Sequence, residues 1–388
     1  MTAPFHQAEP ALPDEQEQTL GGRLDRLTAP GRLYLKEGDV VRCLACGHRC
    51  RIPAGRRGIC KVRFNRGGEL RVPFGYVAGV ACDPIEKKPF FHVLPGADAL
   101  TFGMLGCDLH CSYCQNWLTS QALRDPAAGA PVQEVTPAQL VHAARREGAQ
   151  VVVSSYNEPL ITAEWAAAVF AAARQAGLLC AFVSNGNATP EVLDFLQPHL
   201  AAYKVDLKGF NDRAYRSLGC PLKSVLTTLE QLCQRGLWLE VVTLLVPGFN
   251  DSPQELRELT RFLAGLSRDI PWHVTAFHPD YKMTDRRRTA AADLLRAAEI
   301  GAEAGLRYVY AGNLPGRTGE WENTRCPHCK ATVIARCGFT VLANRLTAEG
   351  ACPECQTRLP GLWRANGGAA APQPGGWRVP RPIHLSGS

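Results

Sequence analysis

The sequence predicts an α/β protein built on a partial (β/α) barrel of the TIM type, with an N-terminal cysteine module and a C-terminal zinc-ribbon-like module. Three observations carry this prediction. From residue 99 to about 310, short apolar runs alternate with amphipathic stretches, the pattern of parallel strands joined by right-handed helical crossovers. Many of the apolar runs end in a polar or glycine-bearing triplet, as strands do when their C-terminal ends converge on one mouth. The cysteines are grouped before, at the start of, and after this alternating region.

Taken in order, 1–20 is acidic, proline-rich and without periodicity, which predicts a disordered arm. Residues 21–95 hold a cysteine module and a connector, 96–320 the barrel, 321–365 the zinc-ribbon-like module, and 366–388 a disordered tail rich in Gly, Ala and Pro. Strands are expected at 99–104, 151–154, 178–183, 203–207, 237–245, 272–277 and 307–310, a seven-strand count that favours an incomplete barrel. Thr136 followed by Pro137 starts one helix, 166–175 forms another that ends at Gly177, and 191–196, 226–235, 253–266 and 289–303 supply the rest. The strand-end triplets are Asn157-Glu158-Pro159, Ser184-Asn185-Gly186, Asp206-Leu207-Lys208, Val246-Pro247-Gly248 and Phe277-His278-Pro279.

Sixteen cysteines in a long chain, with no basic and apolar leader at its start, suit metal ligation in a reducing compartment better than a disulfide scaffold. No run of 18 apolar residues occurs, so the expectation is a soluble cytoplasmic protein with no membrane partner. The formal charge is +7. Basic side chains crowd residues 41–71, where Arg42, Arg51, Arg56, Arg57, Lys61, Arg63, Arg66 and Arg71 face Glu69 alone, a patch suited to an anionic protein, phosphate or RNA, or simply a solvated face.

Three cysteine groups carry the chemistry. Cys107, Cys111 and Cys114 are spaced so that one tight loop holds three corners of a cubane [4Fe-4S] cluster and leaves the fourth iron open. A closed zinc site is the weaker reading, since no fourth cysteine follows until Cys180. Cys43, Cys46, Cys50 and Cys60 form a polar segment that needs a metal to fold, and zinc or a second iron–sulfur cluster fit equally well. Cys326, Cys329, Cys352 and Cys355 are two close pairs around a short β-like segment at 333–342, a zinc-ribbon spacing.

The whole series resembles the radical S-adenosylmethionine (radical SAM) enzymes of the AmmeMemoRadiSam group, relatives of the enzymes that activate pyruvate formate-lyase. The resemblance covers about 40–360 and is carried by CLACGHRC (43–50), DPIEKKP (83–89), GCDLHCSYCQNW (106–117), SYNEP (155–159), KVDLKGF (204–210), VPGFND (246–251), FHPDYKM (277–283), YAGN (310–313) and ENTRCPHC (322–329). Ala45 and Gly47 depart from the pattern expected around Cys46. The resemblance implies S-adenosylmethionine (SAM) bound at the open iron and split to a 5′-deoxyadenosyl radical. It places the SAM amino group at Asn157 and Glu158, adenine near Tyr113, ribose and carboxylate contacts at Asn185, Asp206 and Lys208, and His278 close to SAM. Read singly, these residues could be a turn, a surface pair and a core histidine. It further implies an electron donor of the flavodoxin or ferredoxin type, Memo-like and AMMECR-like partners, and a protein glycine as substrate. Two alternatives stay open: radical modification of RNA or a small molecule, and a zinc-stabilised metal-binding adaptor without enzymatic activity.

Overall fold

The computed structural model describes residues 19–364, 381–383 and 385. A nine-stranded sheet runs through the centre. Its strands are β1 (Gly79–Pro84), β2 (Asp98–Gly103), β3 (Val151–Ser154), β4 (Leu179–Ser184), β5 (Ala202–Asp206), β6 (Trp238–Leu245), β7 (Trp272–Ala276), β8 (Val309–Gly312) and β9 (Arg381–Pro382). Strands β2 to β8 are parallel and neighbour one another in chain order, as the sequence predicts for successive βα units. The order is open: β8 lies at one edge, while β1 pairs antiparallel with β2 and β9 antiparallel with β1.

Parallel strands covered on both faces read as continuous apolar runs, and Val151, Val152 and Val153 are all fully buried. Phe102, Phe170, Phe182 and Tyr203 pack edge-to-face or tilted across the interior. The helices are α1 (Leu20–Arg26), α2 (Trp117–Ser120), α3 (Pro137–Arg146), α4 (Ala163–Gln175), α5 (Pro190–Leu196), α6 (Asp212–Leu218), α7 (Leu222–Gln234), α8 (Pro253–Leu266) and α9 (Ala291–Glu303). Helix α3 starts where Thr136 and Gln139 exchange side-chain and backbone bonds in a capping box, with Pro137 at its first position.

Several expectations shift. Strand β8 begins two residues later than predicted, since Arg307 is drawn out to Asp269 at 2.9 Å. Helix α4 starts at Ala163 rather than 166, because Glu164 in its first turn is buried against Arg63. Strand β1 replaces what reads in sequence as a connector, and two small antiparallel sheets organise residues 28–73. The disordered arm expected over 1–20 lies outside the described residues except at its end, where Thr19 caps α1. The disordered tail expected over 366–388 also lies largely outside them. It does not hold at β9, whose Arg381 and Pro382 add to the edge of the sheet opposite Cys82 and Ala81. Past β8, three short antiparallel strands at Thr324–Arg325, Thr332–Cys337 and Thr340–Asn344 form the C-terminal module.

Candidate active site and its flanking cysteine groups

The loop after β2 carries Cys107, Cys111 and Cys114 into a cavity of about 100 Å³ at the C-terminal ends of the parallel strands. Gly106 makes this approach possible. Its φ is +95°, and a Cβ there would meet Val62 at 2.9 Å and the Cys60 carbonyl at 3.2 Å. The loop is tied down by Gly106 N–H to Thr119 O (2.9 Å), Glu158 N–H to Gly106 O (3.3 Å) and His110 N–H to Leu218 O (2.9 Å). The Leu109 amide donates to Cys107 Sγ at 3.3 Å, and Cys114 Sγ lies 3.1 Å from Ser120 Oγ.

Burial, reinforced by Asp108 and Glu158, pushes the Cys107 thiol well up. Burial pushes Cys111 up to about 12 against the opposing charge of Lys208. Such thiols become thiolates when a metal centre supplies positive charge, so the donor set fits a bound iron–sulfur cluster. The cavity wall contains these three cysteines and no fourth.

The strand-end residues surround them. Asn157 accepts from the Met104 amide through Oδ1 at 2.9 Å, locking the end of β2 to the end of β3. Glu158 accepts from Leu160 N (3.0 Å), Ser184 Oγ (2.7 Å) and Asn185 N (2.7 Å), so its carboxylate clamps two strand ends together. Burial and the neighbouring Asp108 push its pKa up to about 8. Asn185 Nδ2 donates to Asp108 Oδ1 at 2.7 Å. Asp206 stands between Lys204 and Lys208, with Lys208 Nζ 3.4 Å away. Burial raises the Asp206 carboxyl, but the two ammonium groups outweigh it and hold it below its ordinary value. Asn157, Glu158, Asn185, Asp206 and Lys208 therefore line one cavity with the three cysteines.

Two other residues lie elsewhere. Tyr113 does not line this cavity; its ring is buried edge-on to Phe249 at 5.5 Å, and its hydroxyl has no partner among the described residues. His278 faces an adjoining cleft of about 780 Å³, where its Nδ1 lies 2.6 Å from Gln115 Nε2. Two further clefts of about 660 and 550 Å³ lie where the C-terminal module meets the α/β unit, away from the cluster loop.

Sequence reasoning missed Asp108 and Asn187. Asp108 is fully buried, accepts from Asn187 Nδ2 at 2.8 Å as well as from Asn185, and its carbonyl lies 3.2 Å from His48 Nε2. An acidic residue inside a cysteine motif was the available signal. The sequence also left DPIEKKP without a role. Lys88 is 4% exposed and pairs with the buried Asp83 at 2.6 Å, while Tyr156 donates its hydroxyl to Asp83 at 3.1 Å. Tyr156 has a φ of +71°, and a Cβ on Gly103 would sit 2.8 Å from its Cβ, so Gly103 leaves room for this strained residue.

In the C-terminal module, the sulfurs of Cys326, Cys329, Cys352 and Cys355 all lie within 4.8 Å of one another. Tetrahedral thiolate zinc, with Zn–S near 2.3 Å, sets its sulfurs about 3.8 Å apart, so this group suits a single metal ion. Cys355 is held down at about 6 by the Thr357 hydroxyl and amide. In the N-terminal module, Arg42, Arg49, Arg51, Arg57, Arg63 and Arg71 are each paired with a carboxylate, which neutralises much of the basic patch.

Residues 102–263 match the model of the radical SAM superfamily. Over 315 residues the chain is 37% identical to an uncharacterised protein of Methanocaldococcus jannaschii, covering 81% of this chain and 92% of that one. The chain belongs to the radical SAM superfamily. It is similar to the pyruvate formate-lyase-activating enzyme of Staphylococcus aureus, 28% identical over 196 residues, which is 47% of this chain and 76% of that enzyme. Among solved structures it resembles a radical SAM methyltransferase from Sphaerobacter thermophilus, with a TM-score of 0.46 and 17% identity over 78% of this chain and 83% of that one. Streptococcus suis SuiB bound to S-adenosylmethionine matches with a TM-score of 0.42 and 13% identity, over 53% of this chain and 48% of SuiB. The protein is a radical SAM enzyme, and the adaptor reading does not stand.

Proposed function

We propose that this radical SAM enzyme cleaves SAM reductively and uses the product to abstract hydrogen from a glycine in a partner protein, as a member of the AmmeMemoRadiSam group. The observation that carries the cleavage reading is the cavity itself, where Cys107, Cys111 and Cys114 converge without a fourth thiol and face the polar ends of β3, β4 and β5. Cys107, Cys111 and Cys114 would hold the cluster, which when bound would supply the electron for reductive cleavage of the SAM sulfonium. The chain's own residues bind and shield. Asp206 and Lys208 offer a charge pair for polar groups of SAM, Asn157 and Glu158 hold two strand ends in register, and buried surroundings keep water from the radical.

The protein-glycine reading is supported by similarity to the activating enzyme and by the cleft beside the cluster loop. That cleft is several times larger than the cluster cavity and is lined by Gln115, His278, Arg288, Arg317 and Phe339, room for an extended peptide segment. RNA as substrate is disfavoured by the paired arginines of the N-terminal module. Electron supply by a flavodoxin or ferredoxin, Memo-like and AMMECR-like partners, and a cytoplasmic setting complete the proposal.

The test is anaerobic reconstitution with iron and sulfide, then dithionite and SAM, with 5′-deoxyadenosine measured by mass spectrometry. Wild type should produce it and Cys111→Ala should lose at least a hundredfold, roughly the 3 kcal/mol scale on which catalytic groups act. A reconstituted wild type that binds SAM and yields none, even with candidate partners, would overturn the cleavage reading.

A further inference from the structure

We propose that Cys43, Cys46, Cys50 and Cys60 hold a second iron–sulfur cluster, packed directly against the loop that carries the first, rather than a single zinc ion. The backbone brings the four together. The Cys43 amide donates to the Cys50 carbonyl at 2.9 Å across paired strands, and the Cys46–Arg49 turn closes with a 3.0 Å bond at Arg49, whose φ is +43°. A second turn, closed by the Lys61 amide on Gly58 O at 3.0 Å, presents Cys60. It docks on the Cys50 strand, since a Cβ on Gly58 would lie 3.7 Å from Cys50 Sγ, and Asn65 Nδ2 donates to Ile52 O at 2.8 Å. Cys43, Cys46 and Cys60 are each only 5% exposed, and none of the four is in a disulfide.

The same molecule contains the comparison that distinguishes the metals. The C-terminal sulfurs form a compact group within 4.8 Å, the geometry of one zinc. Among the described residues, neither the N-terminal four nor Cys107, Cys111 and Cys114 form such a group. A cubane ligated at its separate corner irons needs a wider set of thiolates than a single ion. Among the described residues, the N-terminal quartet thus shares with the cluster loop a spacing wider than that of the zinc-type group.

An orphaned donor marks the quartet as a metal centre. Arg63 is 1% exposed and forks onto Glu164 at 2.8 Å through both terminal nitrogens, yet its Nε is buried with no partner among the described residues. Its charge acts on Cys43 and Cys60. A buried N–H beside thiolates is satisfied by cluster or cysteinyl sulfur, and its charge offsets the negative charge of a four-thiolate cluster.

The loops that carry the two ligand sets are in contact. A Cβ on Gly106, the residue before Cys107, would meet Val62 Cγ1 at 2.9 Å and the Cys60 carbonyl at 3.2 Å. His48 reaches the Asp108 carbonyl, and the Gly47 amide donates to Asn187 O at 2.8 Å while Asn187 holds Asp108. This gives a second redox-active group at the wall of the first, and its presence does not depend on SAM being cleaved.

The deciding experiment uses the full chain with Cys107→Ala, Cys111→Ala and Cys114→Ala combined, reconstituted anaerobically. We expect about four irons and four sulfides per chain, with one zinc. Two zincs and no iron would overturn the proposal while leaving the central-cluster reading intact. In the otherwise wild-type chain, Cys46→Ser and Cys60→Ser should each halve the iron, with retention of one zinc showing that the chain is folded, and should keep the SAM-perturbed electron paramagnetic resonance signal. Full iron in both variants would overturn it. Should either variant lose zinc as well, the triple variant alone decides. In doubly reduced wild type, magnetic coupling should broaden the spectrum beyond the sum of those of the single-site variants.

Discussion

Lys88 shows how a charged run in sequence can become interior chemistry. Between two prolines it reads as solvated, yet it is buried on Asp83 and lies over the Tyr156 ring at 4.7 Å. Lys88→Met leaves the Asp83 carboxylate buried with Lys87 and Tyr156 as partners, and should cost about 3 kcal/mol in urea denaturation, the lower end for breaking a buried pair. Adding Asp83→Asn should cost less than the sum of the two single changes. His92 gives a pH dependence. Burial lowers its pKa from 6.5 to about 4, its Nδ1 lies 2.7 Å from Pro360 O, and its Nε2 lies 2.7 Å from the Tyr310 hydroxyl. The unfolded chain therefore takes up a proton that the folded chain refuses, so the contribution is complete above pH 6.5 and is lost as pH falls towards 4. The loss is about 3 kcal/mol, and His92→Gln should flatten that part of the stability curve. The cluster cysteines, Asn157, Glu158, Asn185, Asp206 and Lys208 were legible because their types and strand-end positions declare a shared mouth. Asp108, Asn187 and Tyr156 were not, because their roles arise from pairing with residues 73 to 79 positions away, which no local pattern records.

At the scale of elements, what could be read was what local chemistry specifies. Helix α8 was placed to the residue by Pro253 behind the Ser252 cap and by an apolar stripe through Leu256, Leu259 and Leu263. Helix α3 has the same clarity, and Thr136→Ala should cost about 1 kcal/mol of stability, measured by denaturant melts, with 5′-deoxyadenosine yield unchanged because the cap is exposed and does not line the cavity. Helix α6 was missed: seven residues with only Tyr215 and Leu218 buried give little periodicity, and Asn211 capping Ala214 is its main signal. Strand β1 was missed for a different reason. Its residues Gly79–Pro84 combine Gly, Asp and Pro, poor strand formers, and it exists because β2 offers a ladder from Gly79 opposite Gly103 to Pro84 opposite Asp98. Tertiary pairing overrode local preference there. That pairing also fixes the start of DPIEKKP, because Asp83 and Pro84 are the last residues of β1.

At the scale of the molecule, the buried side chain of Arg336 ties the C-terminal module to the segment that follows β1. Arg336 is 4% exposed, donates to Phe91 O at 2.8 Å and to Thr324 Oγ1 at 2.8 Å, stacks over the Phe91 ring at 4.3 Å, and lies 3.5 Å from Glu86. Phe91 and Glu86 belong to the segment that follows β1, and Glu240 on β6 accepts from the Phe91 and His92 amides. A metal at Cys326, Cys329, Cys352 and Cys355 would thus hold the strand carrying Arg336, and Arg336 in turn would hold the segment that presents Lys88 to Asp83. Burial raises Glu86 to about 7 despite Arg336, so without the guanidinium its charged form would be still less favourable. Cys326→Ala should therefore remove one zinc per chain by elemental analysis and lower the melting temperature of the whole chain, not only of the module, while iron per chain stays at the wild-type value. A variant that loses iron and keeps zinc would show that the metals are divided between the cysteine groups differently. Unchanged melting with zinc gone would show that the ribbon and the barrel are held together by packing alone.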